Sequence, residues 1–95
     1  MLNRIEIQGK IFKNPWSFGQ ETLFIIDHQR GFGGESDKFI CAVDGDRRRL
    51  LDGAKEGRTV IVTGRLRSKL TANGGSCEIV CETIDFVDGG GANAD

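Results

Sequence analysis

The segment Arg58-Thr59-Val60-Ile61-Val62-Thr63-Gly64-Arg65-Leu66-Arg67 alternates with a period of two and is rich in β-branched residues. That pattern fits a pleated strand and excludes an amphipathic helix. Val60, Val62, Gly64 and Leu66 share one face, and Ile61, Thr63, Arg65 and Arg67 share the other. A glycine inside a strand packs nothing, so Gly64 marks a bulge, a sharp bend or a close approach of another backbone. Small barrels need such points to close. A core strand whose outer face ends in two arginines therefore predicts a barrel with a binding surface on its wall.

Four more segments supply the other strands. Residues 2–13 place Ile5, Ile7, Gly9 and Ile11 on one face, with Gly9 predicting strong coiling. Residues 14–20 read as a turn, because Asn-Pro initiates turns and Pro15 cannot donate to an interior ladder. Residues 21–28 are apolar on both faces at their centre: Phe24 and Ile26 on one, Leu23 and Ile25 on the other. A strand of that kind is expected to be covered on both sides, the outer cover being another subunit. Residues 29–36 form a glycine-rich loop, and residues 37–43 form the third strand.

After the Asp44-Gly45-Asp46 turn, residues 47–55 read as a short helix. Asp46 is its expected cap, and Leu50, Leu51 and Ala54 form a small apolar stripe. Residues 68–75 read as a loop and 76–87 as the fifth strand. The apolar phase changes between Cys81 and Ile84, and a bulge near Glu82-Thr83 reconciles the two halves. Fourteen glycines and one proline suit many short strands joined by turns. The order is three strands, a helix and two strands. It predicts an all-β fold, a five-stranded barrel of the OB type with a short helix between strands three and four. Residues 1–88 would form this domain, and residues 89–95 a short disordered glycine-rich tail.

Thirteen basic and fourteen acidic residues leave a net charge of −1. Any nucleic-acid footprint must then be a local patch. His28 is the sole histidine and has no neighbouring nucleophile, which favours a structural role. Cys77 and Cys81 would stand about 13 Å apart on a strand, too far for a disulfide; Cys41 with either one is geometrically possible. Buried or half-buried thiols in a reducing cytoplasm are the simpler reading. Four-coordinate zinc spacing is missing, and no run approaches the roughly 18 apolar residues of a membrane helix. Met1 leads straight into a strand, without a leader. The expectation is a cytoplasmic protein that is not an enzyme, carries no cofactor or metal and meets no membrane.

The candidate binding residues are Phe12, Trp16, Phe18, Arg30, Phe32, Lys38, Arg65, Arg67 and Lys69. Aromatics interleaved with cations suit single-stranded nucleic acid, whose bases stack while its phosphates meet positive charge. Arg65 and Arg67 are two apart, so both can face one groove. Several alternatives stay open. Phe12 fits an edge of the core, an oligomer contact or a stacking platform. Trp16 fits a lid on the core or an exposed contact. Arg30 and Phe32 fit a stacking-and-phosphate pair or an ordinary hairpin loop. Arg47-Arg48-Arg49 fits a partner site or a solvated face.

In three places the chain resembles the bacterial and phage single-stranded DNA-binding proteins. These are Leu2-Asn3-Arg4-Ile5-Glu6-Ile7-Gln8-Gly9-Lys10-Ile11, the run from Gly57 to Arg67 with its Gly64-Arg65-Leu66, and the run from Glu78 to Val87 that ends Thr83-Ile84-Asp85-Phe86-Val87. The resemblance implies sequence-nonspecific binding and protection of single-stranded DNA in replication, recombination or repair, by a homotetramer of such barrels. It places Trp16, Phe32 and Lys69 on loops that embrace DNA, and sends Arg65 and Arg67 toward it. The helix is shorter than that family's, with Arg47-Arg48-Arg49 in place of part of its apolar pattern. The chain ends Gly89-Gly90-Gly91-Ala92-Asn93-Ala94-Asp95, so recruitment of partners through an acidic tip is not expected. The compact length, the Asn3-Arg4 start and the ending Glu82 to Asp88 also resemble primosomal replication protein N. That subgroup is a dimeric barrel that assists replication restart, which implies protein assembly with weak nucleic-acid binding.

Overall fold

A computed structural model describes residues 1–31 and 33–87. The strands are β1 (Ile5–Phe18), β2 (Glu21–Gln29), β3 (Ser36–Asp44), β4 (Thr59–Thr71) and β5 (Gly74–Phe86), with a 3-10 helix at Gly45–Leu51 between β3 and β4. They close in the order β1-β2-β3-β5-β4. The β3–β5 seam is parallel and short, with Cys41 opposite Ile79 and Ala42 opposite Val80, while the other pairings are antiparallel. This is a five-stranded mixed barrel of the OB type. Its expected tail, residues 89–95, and Asp88 lie outside the described residues.

Alternation builds the core. Ile11, Phe24, Ile26, Cys41, Val43, Val60, Val62, Ile79, Cys81 and Ile84 point inward and form one cluster. Leu50, Leu51 and Ala54 pack against it from the 3-10 helix and the turn that follows, closing one end of the barrel. β1 serves two neighbours. Residues 5–10 pair with β4, and residues 10–18 with β2. Gly9 sits at this handover, where an added Cβ would lie 2.7 Å from the Asp27 carbonyl oxygen. At Gly64 an added Cβ would lie only 2.0 Å from the Val80 carbonyl oxygen. The close backbone approach and the bulge occur together: Thr63 faces Thr83, Gly64 faces Cys81, and Glu82 is the extra residue.

The larger differences from the sequence reading lie at the two ends of β1, in the β4–β5 hairpin and in the helix. β1 does not stop at residue 13. It continues to Phe18, and the reversal is confined to Gly19-Gln20. Two register shifts, between Ile11 and Lys13 and between Lys13 and Trp16, absorb Phe12 and the Asn14-Pro15 step. Proline is tolerated at such an interruption because no ladder bond needs its missing N–H. The Asn14 side chain is used as well, its Oδ1 accepting the Glu56 N–H at 2.8 Å.

The expected loop 68–75 is instead a continuation of the β4–β5 hairpin, with only Ala72-Asn73 in the turn and Gly74 at φ +122. The helix is 3-10 over Gly45–Leu51, not α over 47–55, and its Ncap is Asp44, with no side-chain cap bond. Left-handed Gly53 and Gly57 end the segment before an α-helix can propagate. Finally, β1 starts at Ile5. Asn3 extends the pairing with its side chain instead, its Nδ2 donating to the Leu66 carbonyl and its Oδ1 accepting the Leu66 N–H, both at 2.9 Å.

Candidate nucleic-acid interface

Strand parity sorts the candidate residues onto one wall. Trp16 lies opposite Leu23 and Phe18 opposite Glu21; Arg65, Arg67 and Lys69 lie opposite Val80, Glu78 and Ser76. These residues, with Lys38 of β3, alternate with core positions and so face outward. Phe12 joins them through its bulge, which pushes it out of the ladder and leaves it 46% exposed.

Each aromatic of β1 meets a cation. Lys38 Nζ lies 4.8 Å from the Phe12 centroid, Lys13 Nζ 4.6 Å from Trp16 and Lys69 Nζ 5.7 Å from Phe18. These are cation–π distances. Phe18, at the tip of the β1–β2 hairpin, is 60% exposed, and Trp16 is half-buried. Lys13 escaped the sequence reading. Placing a turn at residue 14 ended the strand beside it, and only the bulged continuation of β1 brings it to Trp16.

The outer cover of β2 is partly supplied by the chain itself. Leu23 and Ala42 are buried on the outward face and Ile25 is half-buried, whereas Ile40 is exposed. A second subunit is therefore not needed to bury Leu23.

The remaining candidates divide by their partners. Arg30 is held in the 30–35 loop by Glu35 at 3.4 Å and Asp37 at 3.2 Å. Lys38 also reaches Asp27 at 3.8 Å. Arg65 is exposed and makes no ion pair among the described residues. Arg67 is engaged by two carboxylates. Its Nη1 and Nη2 donate to Glu21 at 3.0 Å each, and Nη2 also donates to Glu78. Lys69 Nζ reaches Glu78 at 3.4 Å. The structure thus brings Phe18, Arg67 and Lys69 together with Glu21 and Glu78, and pairs Phe12 with Lys38. It leaves Arg30 on its own loop. Phe32 lies outside the described residues.

The hydrogen bonds from Arg67, joined by its charge and that of Lys69, hold the Glu21 carboxyl below its ordinary value of 4.5 despite the cost of burial. The same bonds raise the Arg67 guanidinium above its usual value. A carboxylate with a depressed folded pKa contributes stability that is present above its unfolded value and lost as pH falls through the folded one. Acid titration of the unmodified protein is therefore expected to lose stability below about pH 4.5, and Glu21→Gln should flatten that slope in circular-dichroism melts. An unchanged slope would show that the pairing is energetically silent.

Other groups have structural roles. The His28 ring hydrogen-bonds through Nδ1 to the Gln8 carbonyl at 2.8 Å, tying β2 to β1 where the ladder has ended. Cys41, Cys77 and Cys81 are free thiols; Cys41 and Cys81 are buried as expected, but Cys77, near the tip of the β4–β5 hairpin, is exposed. Cys41 and Cys81 touch in the core, and that contact together with burial pushes the Cys41 thiol up, which keeps it unreactive. An open polar groove of about 610 Å³ lies between β1 and the end of β2, beside Gln8, Lys10, His28 and Ser36. Among the described residues no group of three or more His, Cys, Asp or Glu could hold a metal, and no helix is long and apolar enough to cross a membrane.

Solved structures match this barrel along nearly its whole length. A small single-stranded DNA-binding protein from Mycoplasma pneumoniae is 27% identical, with a TM-score of 0.71 over 88% of this chain and 92% of that one. The dimeric N-terminal domain of the PriB protein from Thermoanaerobacter tencongensis is 22% identical, with a TM-score of 0.70 over 90% of this chain and 96% of that one. The mitochondrial single-stranded DNA-binding protein of S. cerevisiae is 16% identical, with a TM-score of 0.78 over 90% and 94%. No protein-family model and no curated protein sequence matches the chain. The fold is thus that of OB-type single-stranded DNA-binding proteins and PriB, and the likeness agrees with a role in binding nucleic acid.

Proposed function

We propose that this protein binds single-stranded DNA along the outer wall of its barrel, without strong sequence preference, and protects it in cytoplasmic replication, recombination or repair. The observation that carries this reading is the row of three aromatic rings on β1, each with a lysine over it. Bases stack on such rings and phosphates meet the adjacent cations. Phe12, Trp16 and Phe18 are the stacking residues; Lys13, Lys38, Arg65 and Lys69 are the phosphate contacts. Arg30 and Phe32 belong to the same reading as loop contacts.

Titration of Trp16 fluorescence with oligo-dT tests it. Quenching is expected. Four phosphate contacts on a single strand give a slope of log K against log salt of about −2.8. A rise from about 50 to about 200 mM salt should then weaken binding roughly 50-fold. Absence of any binding at low salt would sink the proposal.

The second reading is a protein-assembly barrel of the replication-restart kind, with weak nucleic-acid binding. The exposed Ile40 and the carboxylates that already engage Lys38 and Arg67 favour it. Either way the protein is proposed to be a homo-oligomer, a tetramer or a dimer. Its support is the open edge of β1 before Lys10, where the β2 ladder has not begun. Light scattering should give a multiple of the 10.4 kDa chain mass. A monomer at micromolar concentration would count against it.

A further inference from the structure

Glu21, Arg67, Lys69 and Glu78 form a cluster on the wall in which cations and carboxylates balance, two of each. Glu21 is the first residue of β2, immediately after the Gly19-Gln20 reversal. Arg67 and Glu78 face each other on the β4–β5 hairpin, beyond the bulge. β2 and β4 are not neighbours in the barrel, so no backbone ladder joins them. The guanidinium does join them. It grips both oxygens of Glu21 at 3.0 Å and reaches Glu78 with the same Nη2. Lys69 repeats the link, with Glu78 at 3.4 Å on one side and the Phe18 ring at 5.7 Å on the other.

We propose that Arg67 is a positioning residue: it locks the β1–β2 hairpin tip to the β4–β5 arm and so sets the spacing of the wall residues that a nucleic-acid strand meets. The inference rests on the nucleic-acid reading above and gives Arg67 a role other than the direct contact expected from the sequence. Three of the guanidinium N–H groups are already spent on two carboxylates, so a phosphate at Arg67 must compete with charge-assisted contacts. Glu78 is only 7% exposed, and stripping its partner would leave a buried charge poorly compensated. Arginine fits the task by its planar fork, which a lysine ammonium cannot reproduce. Arg65, two residues earlier on the same face, has no such partners among the described residues and is the arginine of the pair available to a phosphate.

The decisive variant is Glu21→Gln, because the two roles predict opposite signs. If Arg67 were a phosphate contact, removing the Glu21 carboxylate would leave only Glu78 to compete with the phosphate. Oligo-dT binding would tighten, and the salt slope would steepen by about 0.7. As a positioning residue, Arg67 loses its grip on β2, and a wall that is no longer preorganised binds about fivefold more weakly at unchanged slope. Arg67→Lys should behave like Glu21→Gln, although it keeps the charge. A readout without DNA comes from amide hydrogen exchange, which should accelerate about tenfold at the Gly19-Gln20 and Ala72-Asn73 turns in both variants. Tighter binding by Glu21→Gln, or unchanged exchange at the two turns, overturns the proposal. Failure of the unmodified protein to bind oligo-dT would instead defeat the nucleic-acid reading, and the exchange experiment would still decide whether the bridge holds the arms.

Discussion

Replacing Gly64 with alanine is expected to unfold the barrel. The added methyl group would stand 2.0 Å from the Val80 carbonyl oxygen, 2.9 Å from its carbon and 3.2 Å from the Cys81 Cα. Every one of these atoms is backbone, so no side-chain rotation relieves the clash. The β4–β5 ladder would have to part where Gly64 meets the bulge at Glu82, between the core residues Val62 and Cys81. Losses above about 4 kcal/mol are the mark of such sites. A chain of this length holds only about 5–14 kcal/mol in total. Denaturant titration should find Gly64→Ala largely unfolded or insoluble. A midpoint close to that of the unmodified protein would show that β5 can shift to make room. Gly9→Ala, 2.7 Å from the Asp27 carbonyl oxygen, should be destabilising for the same reason but less so.

The other large effect is expected at Phe24. Its ring is fully buried and is the largest such side chain in the core. Phe24→Ala should cost about 3–5 kcal/mol, the transfer energy of the ring plus the cavity left behind. Thermal melts should show a steep fall in Tm. Phe12 is the control. It stands outside the core with Lys38 over its ring, so Phe12→Ala should leave Tm nearly unchanged and weaken oligo-dT binding by about 1–3 kcal/mol, the value of one stacked base. Equal stability losses at both positions would mean that the bulge at Phe12 does not separate core from wall.

Much of this barrel was legible along the chain. Period-2 alternation identified all five strands and the inward set Val60, Val62, Ile79 and Cys81. A change of phase located the bulge beside Glu82. Each of these signals is local, carried by residues that share one strand. The ends of the strands were harder to read. Pro15 looks like a terminator, yet β1 runs past it because an irregular step in the ladder asks nothing of its nitrogen. Residues 68–75 look like a loop, yet pairing with β5 keeps them extended. In both cases tertiary pairing outweighed local propensity.

Sequence alone determined the fold class, the core face and the outward placement of Arg65 and Arg67, because alternation along one strand decides which way a side chain points; the bulged continuation of β1 decided that of Phe12, Trp16 and Phe18. Only the tertiary structure decided what each outward group meets. Arg65 and Arg67 are indistinguishable in the sequence, two cations on one face of one strand. Folding brings Glu21, 46 residues away, onto Arg67 and brings no carboxylate onto Arg65 among the described residues. Whether a charge is free or neutralised depends on distances of a few ångströms between strands remote along the chain, and those distances exist only once the barrel has closed.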